Sequence, residues 1–359
     1  TPSIVAAMGF LALIKQDGVL YSIGIDLRTE TGIIGSLSSS IGIENTGNII
    51  ALLVAHAWFN LALVIRFVEP KIATLSPRYE DAFRMLPVGK TSLNRLTHFW
   101  WPMLKTPILS AFTFTFLFSF TSFALVRWLA PEMWTLEALM ATVGGSAGIR
   151  GYRVDVSRFI LGAATLQAIV LIVALGITGR MQQRLSLETE LVSEDYSRSN
   201  KGRPGLLPRI GVFFATIFAL TPLVSMALSS VRIRNRTTDS YRWSIEAWEY
   251  AFRGDLSYAS VPDALTNSLI YALGCLLLSC TLGFFVAHSI HALEKQKRYK
   301  LAQTIDVLSM LPLAISGVMV GLGVLLGVLQ LWPELFNFYG LPILPHAMLT
   351  TPFVIRILL

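Results

Sequence analysis

Charge is what this sequence has least of. Asp, Glu, Lys and Arg make up 14% of its 359 residues, against about a quarter in an ordinary soluble domain. Hydrophobic residues reach 53% and mean hydropathy is +0.60. A core hidden from water cannot absorb that excess, so the chain is expected to be solvated by lipid. Cysteine is almost missing too. Cys275 and Cys280 lie in one apolar run, and on a helix that spacing points them in different directions, which argues against a disulfide or shared metal site. No GxxxxGK[ST] run occurs, so the chain has no loop of its own to cradle ATP phosphates. Nor is there a His-x-x-x-His pattern, a cysteine cluster or a carboxylate pair inside an apolar run. A catalytic or metal site is therefore unsupported, no cofactor is expected on this chain, and a membrane enzyme is disfavoured. The net charge of +7 would point to nucleic acid only if the basic residues shared one surface. Most flank the apolar runs instead, as topology signals do, so no nucleic-acid partner is expected.

What is present in quantity is long apolar sequence. Runs cover 48–68, 106–128, 157–179, 208–231, 266–290 and 302–330, each near or above the ~20 residues a helix needs to cross the hydrocarbon core. Residues 2–14 and 343–359 read as two more, shortened by the chain ends. With Thr1 first and Leu359 inside an apolar run, we read the chain as part of a longer one. The expected fold is an all-α integral membrane bundle in contact with lipid. One stretch resists: FTFTFLFSFTSF, Phe112 to Phe123, alternates with the period of a barrel strand. It stands alone among runs too long for strands. On a helix, Thr115, Ser119 and Ser122 share one stripe, suited to a helix–helix contact or a pore lining.

Taking the basic segment 180–209 as cytoplasmic and alternating outward places 69–104 and 291–301 on the same side. The outer loops are then 15–47, 127–156, 232–265 and 331–342. They carry fewer Lys and Arg, apart from Arg232, Arg234, Arg236, Arg242 and Arg253. A phrase is written twice across this layout. HAWFNLALVIR runs from His56 to Arg66, and HAMLTTPFVIR runs from His346 to Arg356, with His-Ala and Val-Ile-Arg in the same places. Five spans lie between the copies, so both run in the same direction and each ends with its Arg at the cytoplasmic face. A proline-led, glycine-containing segment precedes each copy: TPSIVAAMGFLAL and LPLAISGVMVGLGVLL. The expected organisation is two parallel repeats, 1–180 and 208–359, joined by a polar linker at 181–207.

After Arg66 comes the largest cytoplasmic loop between spans, residues 69–108. Behind Ser76-Pro77, which suit capping and first-turn positions, Glu80, Asp81 and Ala82 start a short helix, with Asp81 in its dipole field. Pro87 and Gly89 break it, and a second amphipathic piece, Leu93 to Trp101, leads into Pro102 and the next span. Gly89 sits where the chain must turn between two surface helices, and glycine enters left-handed backbone regions without steric cost. A helix–turn–helix lying on the membrane surface is built to plug into another protein. The alternative is a basic loop held by anionic headgroups.

The layout resembles the coupling loop of binding-protein-dependent ATP-binding-cassette importer permeases. In those the order is Glu-Ala-Ala, a glycine, then a proline before the next helix. Here Asp81 and Ala82 match the start, Gly89 the turn and Pro102 the close. The Asp81–Gly89 interval is about two residues longer, and Phe83 stands where a second alanine is usual. TPSIVAAMGFLALIKQDGVL, LLVAHAWFNLALVIR and HAMLTTPFVIRIL resemble segments of fused, two-half permeases for thiamine and for ferric iron. The thiamine branch is closer, through His56, Ala57, Phe59 and Asn60. The resemblance implies a transmembrane subunit in the bacterial plasma membrane. It would be served by an extracytoplasmic solute-binding protein and by a separate ATPase, a homodimer, that spends the ATP. It also implies a second coupling loop just past Leu359.

A translocation pathway would draw on His56, Asn60, Thr115, Ser119, Ser122 and His346, although hydrogen bonds to neighbouring loops are the favoured explanation of the two histidines. Pro312, followed by Gly317, Gly321 and Gly323, marks a helix able to kink, as a hinge or as static packing. An ion-coupled transporter is the competing class. It needs intramembrane carboxylates, which these runs nearly lack.

Overall fold

The computed structural model describes residues 3–15, 18–42, 46–74, 77–150, 162–177, 205–235, 240–254, 260–314, 316–328 and 331–359. The linker expected at 181–207 falls almost wholly outside them, as does Ser76. The longer helices are α1 (Ser3–Ile14), α2 (Ile33–Ile41), α3 (Thr46–Thr74), α4 (Pro77–Met85), α5 (Ser92–Phe120), α6 (Ala124–Leu129), α7 (Leu136–Arg150), α8 (Gly162–Ile177) and α9 (Leu206–Ser230). After them come α10 (Glu246–Arg253), α11 (Val261–Lys295), α12 (Tyr299–Met310), α13 (Gly317–Gly323) and α14 (Ile343–Leu358). The protein is an all-α polytopic membrane bundle. Among the described residues, α3, α5, α9 and α11 are long and apolar enough to cross a membrane, and α1, α8 and α14 are shorter apolar helices.

Two compact units emerge from the packing. One comprises 1–133 with 172–229, the other 134–171 with 230–359. This grouping by contact is a different partition from the expected sequence repeats, which concern likeness of sequence.

In the first unit, Ala6, Ala7, Phe10 and Leu13 of α1 bury against Leu52, Ala55 and Trp58 of α3 and Leu125, Val126 and Leu129 of α6. Phe10 and Trp58 meet edge to face at 5.7 Å, and the Trp58 indole donates to the Ala219 carbonyl of α9 at 3.1 Å. A Cβ at Gly9 would come within 2.7 Å of the Pro222 carbonyl oxygen. In lipid, where tails are as apolar as leucine, such close backbone approach is what holds helices together.

The second unit uses the same device. Gly283 of α11 faces Val354 of α14, whose Cγ1 would lie 2.6 Å from an added Cβ. Below it, Ala287, Ile290, Ala302 and Ile355 form one buried cluster, and Met140, Ala163 and Leu322 form another. Ser279 and Thr350 pair their hydroxyls at 2.5 Å across α11 and α14. The Cys275 and Cys280 thiols are free.

Three expectations give way. The FTFTF stretch is helical, but its helix ends at Phe120, and residues 124–129 form the separate α6, so the run 106–128 is not one span. The run 302–330 is no single helix either. A 3-10 turn at Leu311–Ala314 separates α12 from α13, and α13 widens into a π-turn at Val324–Val328. Pro312 and Gly317 lie at this break, where proline removes a backbone donor and Ser316 starts a fresh helix by accepting from Met319 N–H at 3.0 Å. Finally, a small antiparallel hairpin joins β1 (Arg232–Asn235) to β2 (Ser240–Trp243) in a segment the apolar periodicity leaves as loop.

Candidate functional site

The loop between α3 and α5 begins with α4, which carries Glu80 in its first turn and an exposed Asp81 and Ala82 in its second. Glu80 accepts from Arg84 one turn on, at 2.7 Å. Asp81 is the fifth residue of this nine-residue helix, so it does not occupy the helix start, where the dipole field is strongest. Pro87–Lys90 form a 3-10 turn with Gly89 buried inside it.

Gly89 is not among the glycines with positive φ, contrary to the left-handed turn expected of it. Its necessity is spatial. A Cβ there would overlap the backbone carbonyl oxygen of Phe83, so α4 folds back onto the turn more closely than any side chain allows. Phe83 itself packs against the buried Phe99 at 5.5 Å. Thr91 then caps α5, accepting from Asn94 N–H at 3.3 Å.

A second surface helix, separate from the following span, was expected at Leu93–Trp101. The chain instead runs as one helix from Ser92 to Phe120, with a π-turn at Leu96–Trp100. Pro102 follows that turn, and the widened turn accommodates a ring that lacks an N–H. The loop thus has one free-standing helix, and its second arm continues through the π-turn into a membrane span. Around the turn, Met85 (86% exposed), Leu86, Val88, Leu93 and Leu96 present apolar side chains to the surroundings.

Of the expected pathway residues, His56, Asn60 and Ser119 meet in the first unit, between α3 and α5, with Thr115 one turn before Ser119 on α5 and Ser122 just past the end of that helix. Asn60, 2% exposed, donates through Nδ2 to the His56 carbonyl at 2.9 Å and to Ser119 Oγ at 3.3 Å. Phe67 stacks on Phe114 at 5.1 Å. The two pairings set α3 and α5 antiparallel. His56 Nε2, Asn60 Oδ1, Thr115 Oγ1 and Ser122 Oγ are all buried without a hydrogen-bond partner. Such groups are costly in an apolar setting, so each calls for a water or polar partner. His346 lies in the other unit, where its ring nitrogen meets the Pro342 carbonyl of its own helix at 2.6 Å.

Sequence reasoning missed Glu137. An acidic residue in a helix's first turn ordinarily complements the dipole at a wet surface. Here it is 1% exposed. It accepts from Gln167 Nε2 at 2.9 Å and also bonds the Ser316 side chain and the Val318 backbone N–H. Burial pushes its carboxyl above the ordinary range, and the bonds from Ser316, Gln167 and Val318 pull the other way. Glu137 thus helps satisfy the start of α13, at the break after α12. Among the described residues, no group of three or more His, Cys, Asp or Glu side chains is placed to hold a metal ion.

No protein-family model matches the chain, and no solved structure does. Two curated proteins are similar along almost its whole length. The thiamine transport system permease protein ThiP of Escherichia coli is 22% identical over 372 residues, covering 99% of this chain. That of Salmonella typhimurium is 21% identical over 366 residues, with the same coverage. The chain spans 60% of the length of these relatives. It is a multi-pass membrane protein whose likeness, from one end to the other, is to thiamine transport permeases.

Proposed function

We propose that this chain is the transmembrane permease subunit of an ATP-driven importer in a bacterial plasma membrane. In this reading an extracytoplasmic binding protein delivers a small solute and two copies of a separate ATPase dock on the cytoplasmic loops. ATP is then used by those copies and not by this chain. The observation that carries the reading is the loop at 77–102. It places a set of exposed apolar side chains (Met85, Leu86, Val88, Leu93 and Leu96) on a turn whose far arm is continuous with span α5. Exposed apolar groups on a short polar loop suit a protein partner. A push delivered there passes into the span through the π-turn at Leu96–Trp100. Thiamine is the cargo we propose, because both relatives are named for it. The unpartnered polar atoms of His56, Asn60, Thr115 and Ser122 are the proposed pathway wall, and the two parallel repeats supply one docking loop each.

Reconstituted uptake tests this. The full-length protein alone should hydrolyse no ATP. With its ATPase it should hydrolyse ATP faster when loaded binding protein is added, and it should import thiamine only under those conditions. Uptake driven by a proton or sodium gradient without the ATPase would overturn the proposal in favour of an ion-coupled carrier.

A further inference from the structure

The segment between spans α9 and α11 carries more structure than a connection needs. Its hairpin holds Arg232, stacked over the Tyr241 ring at 3.8 Å, and Arg242, paired with Glu246 at 2.7 Å. The helix that follows, α10, reads EAWEYAFR. At 100° per residue, Ala247, Trp248, Ala251 and Phe252 fall on one face, and Glu246, Glu249, Tyr250 and Arg253 fall on the other. The apolar face is not turned into a core: Trp248 and Phe252 are exposed, as are Trp243 (67%) and Ile245 beside them. Trp248 donates through its indole N–H to Ser230 Oγ at 3.2 Å. Ser230 is the last residue of a membrane-crossing helix, so this bond ties α10 to a residue at a span's end. On the other side Gly254, with φ of 81°, ends the helix, and α11 begins at Val261.

We infer that α10 and the adjoining edge of the hairpin are an interfacial anchor. Trp243, Trp248 and Phe252 lie in the headgroup layer of the bilayer, and the hairpin arginines face lipid phosphates. Three observations favour lipid over a protein partner. The helix is tied to a span's end, its apolar face is aromatic, and arginines adjoin it; Trp and Tyr collect at the membrane interface, and basic residues draw anionic headgroups. The anchor would fix the rotation of α11, which follows it in the same unit, about its axis.

The test uses the full-length protein in nanodiscs made with an anionic phospholipid, with Cys275 and Cys280 replaced by alanine. A bimane fluorophore is attached at Phe252→Cys or, on the opposite face, at Glu249→Cys. Lipids carrying a nitroxide near the headgroup should quench the first label at least twofold more than the second, and more than lipids with a deep nitroxide do. Equal quenching of the two labels, or none at either, overturns the anchor. So does a label at 252 that lipid leaves untouched and that only an added solute-binding protein shields, which would make the face a protein dock. Monodisperse elution of both labelled variants shows that the readout comes from folded protein.

Discussion

The carbonyl oxygen of Phe83 occupies the space that a side chain on residue 89 would need. This single contact between α4 and the 3-10 turn makes Gly89 irreplaceable by alanine, although the local backbone is one any residue can adopt. Gly89→Ala should therefore loosen the fold of the loop by about 1–3 kcal/mol, as overpacking does. Amide exchange across 77–100 should rise while the spans keep their protection. Under the importer reading, ATPase co-purification and uptake fall together. Unchanged exchange in the loop would show that α4 does not pack on the turn as described.

Asp81 tests the docking face without disturbing the fold. It is exposed in the middle of α4, and surface substitutions away from special features cost within about 0.5 kcal/mol. Asp81→Lys should leave expression and thermal stability at the wild-type level and lower binding-protein-stimulated ATP hydrolysis several-fold. Normal hydrolysis and uptake would mean that this helix is not the docking element.

Thr115 and Ser122 separate a pathway role from a packing role. Each hydroxyl is buried without a partner, so removing it takes away a desolvation cost and no bond. Thr115→Val and Ser122→Ala should leave stability equal or raise it by up to about 1–3 kcal/mol of relieved penalty, read as an equal or higher melting temperature. If these atoms wall the pathway, uptake drops despite the added stability. Lower stability with normal uptake would make them packing groups.

Glu137 should report through pH. Its folded-state pKa is raised, so the folded protein holds the proton more tightly than the unfolded chain does. The group costs nothing below the unfolded value near 4.5. Its ionised form costs stability as pH climbs from there through the raised folded value. Glu137→Gln, neutral throughout, should flatten that part of the stability–pH curve. Glu137→Ala should lose about 1–3 kcal/mol at every pH, because it strands the donors of Gln167 and Val318. Parallel melting curves of all three proteins between pH 4 and pH 8 decide it, and an unchanged slope in the glutamine variant would refute the assignment.

The sequence by itself determined that this chain lives in lipid and is helical. Apolar runs of bilayer length leave the backbone no solvent to bond, so it must bond itself. It also placed a loop with its proline and glycine within 69–108, wider than the one the structure leaves between α3 and α5, and put Asn60 one turn from His56, because these are features of spacing along one strand of chain. The length of α5 was half legible. Its apolar part was legible from 106 onward, although that run read on to 128, past the helix end at Phe120; its first turns are polar enough to read as a surface helix, and only continuity through the π-turn joins them to the span. Tertiary structure alone decided the rest. Gly89 is needed because Phe83 folds back over it, and Asn60 meets Ser119 because α3 and α5 settle in one register. The run 302–330 breaks because Ser316 and Glu137 offer the freed N–H groups new partners. Each of these is a contact between residues that local periodicity does not link, and in a membrane such contacts, not the shared apolarity of the helices, select one packing from many.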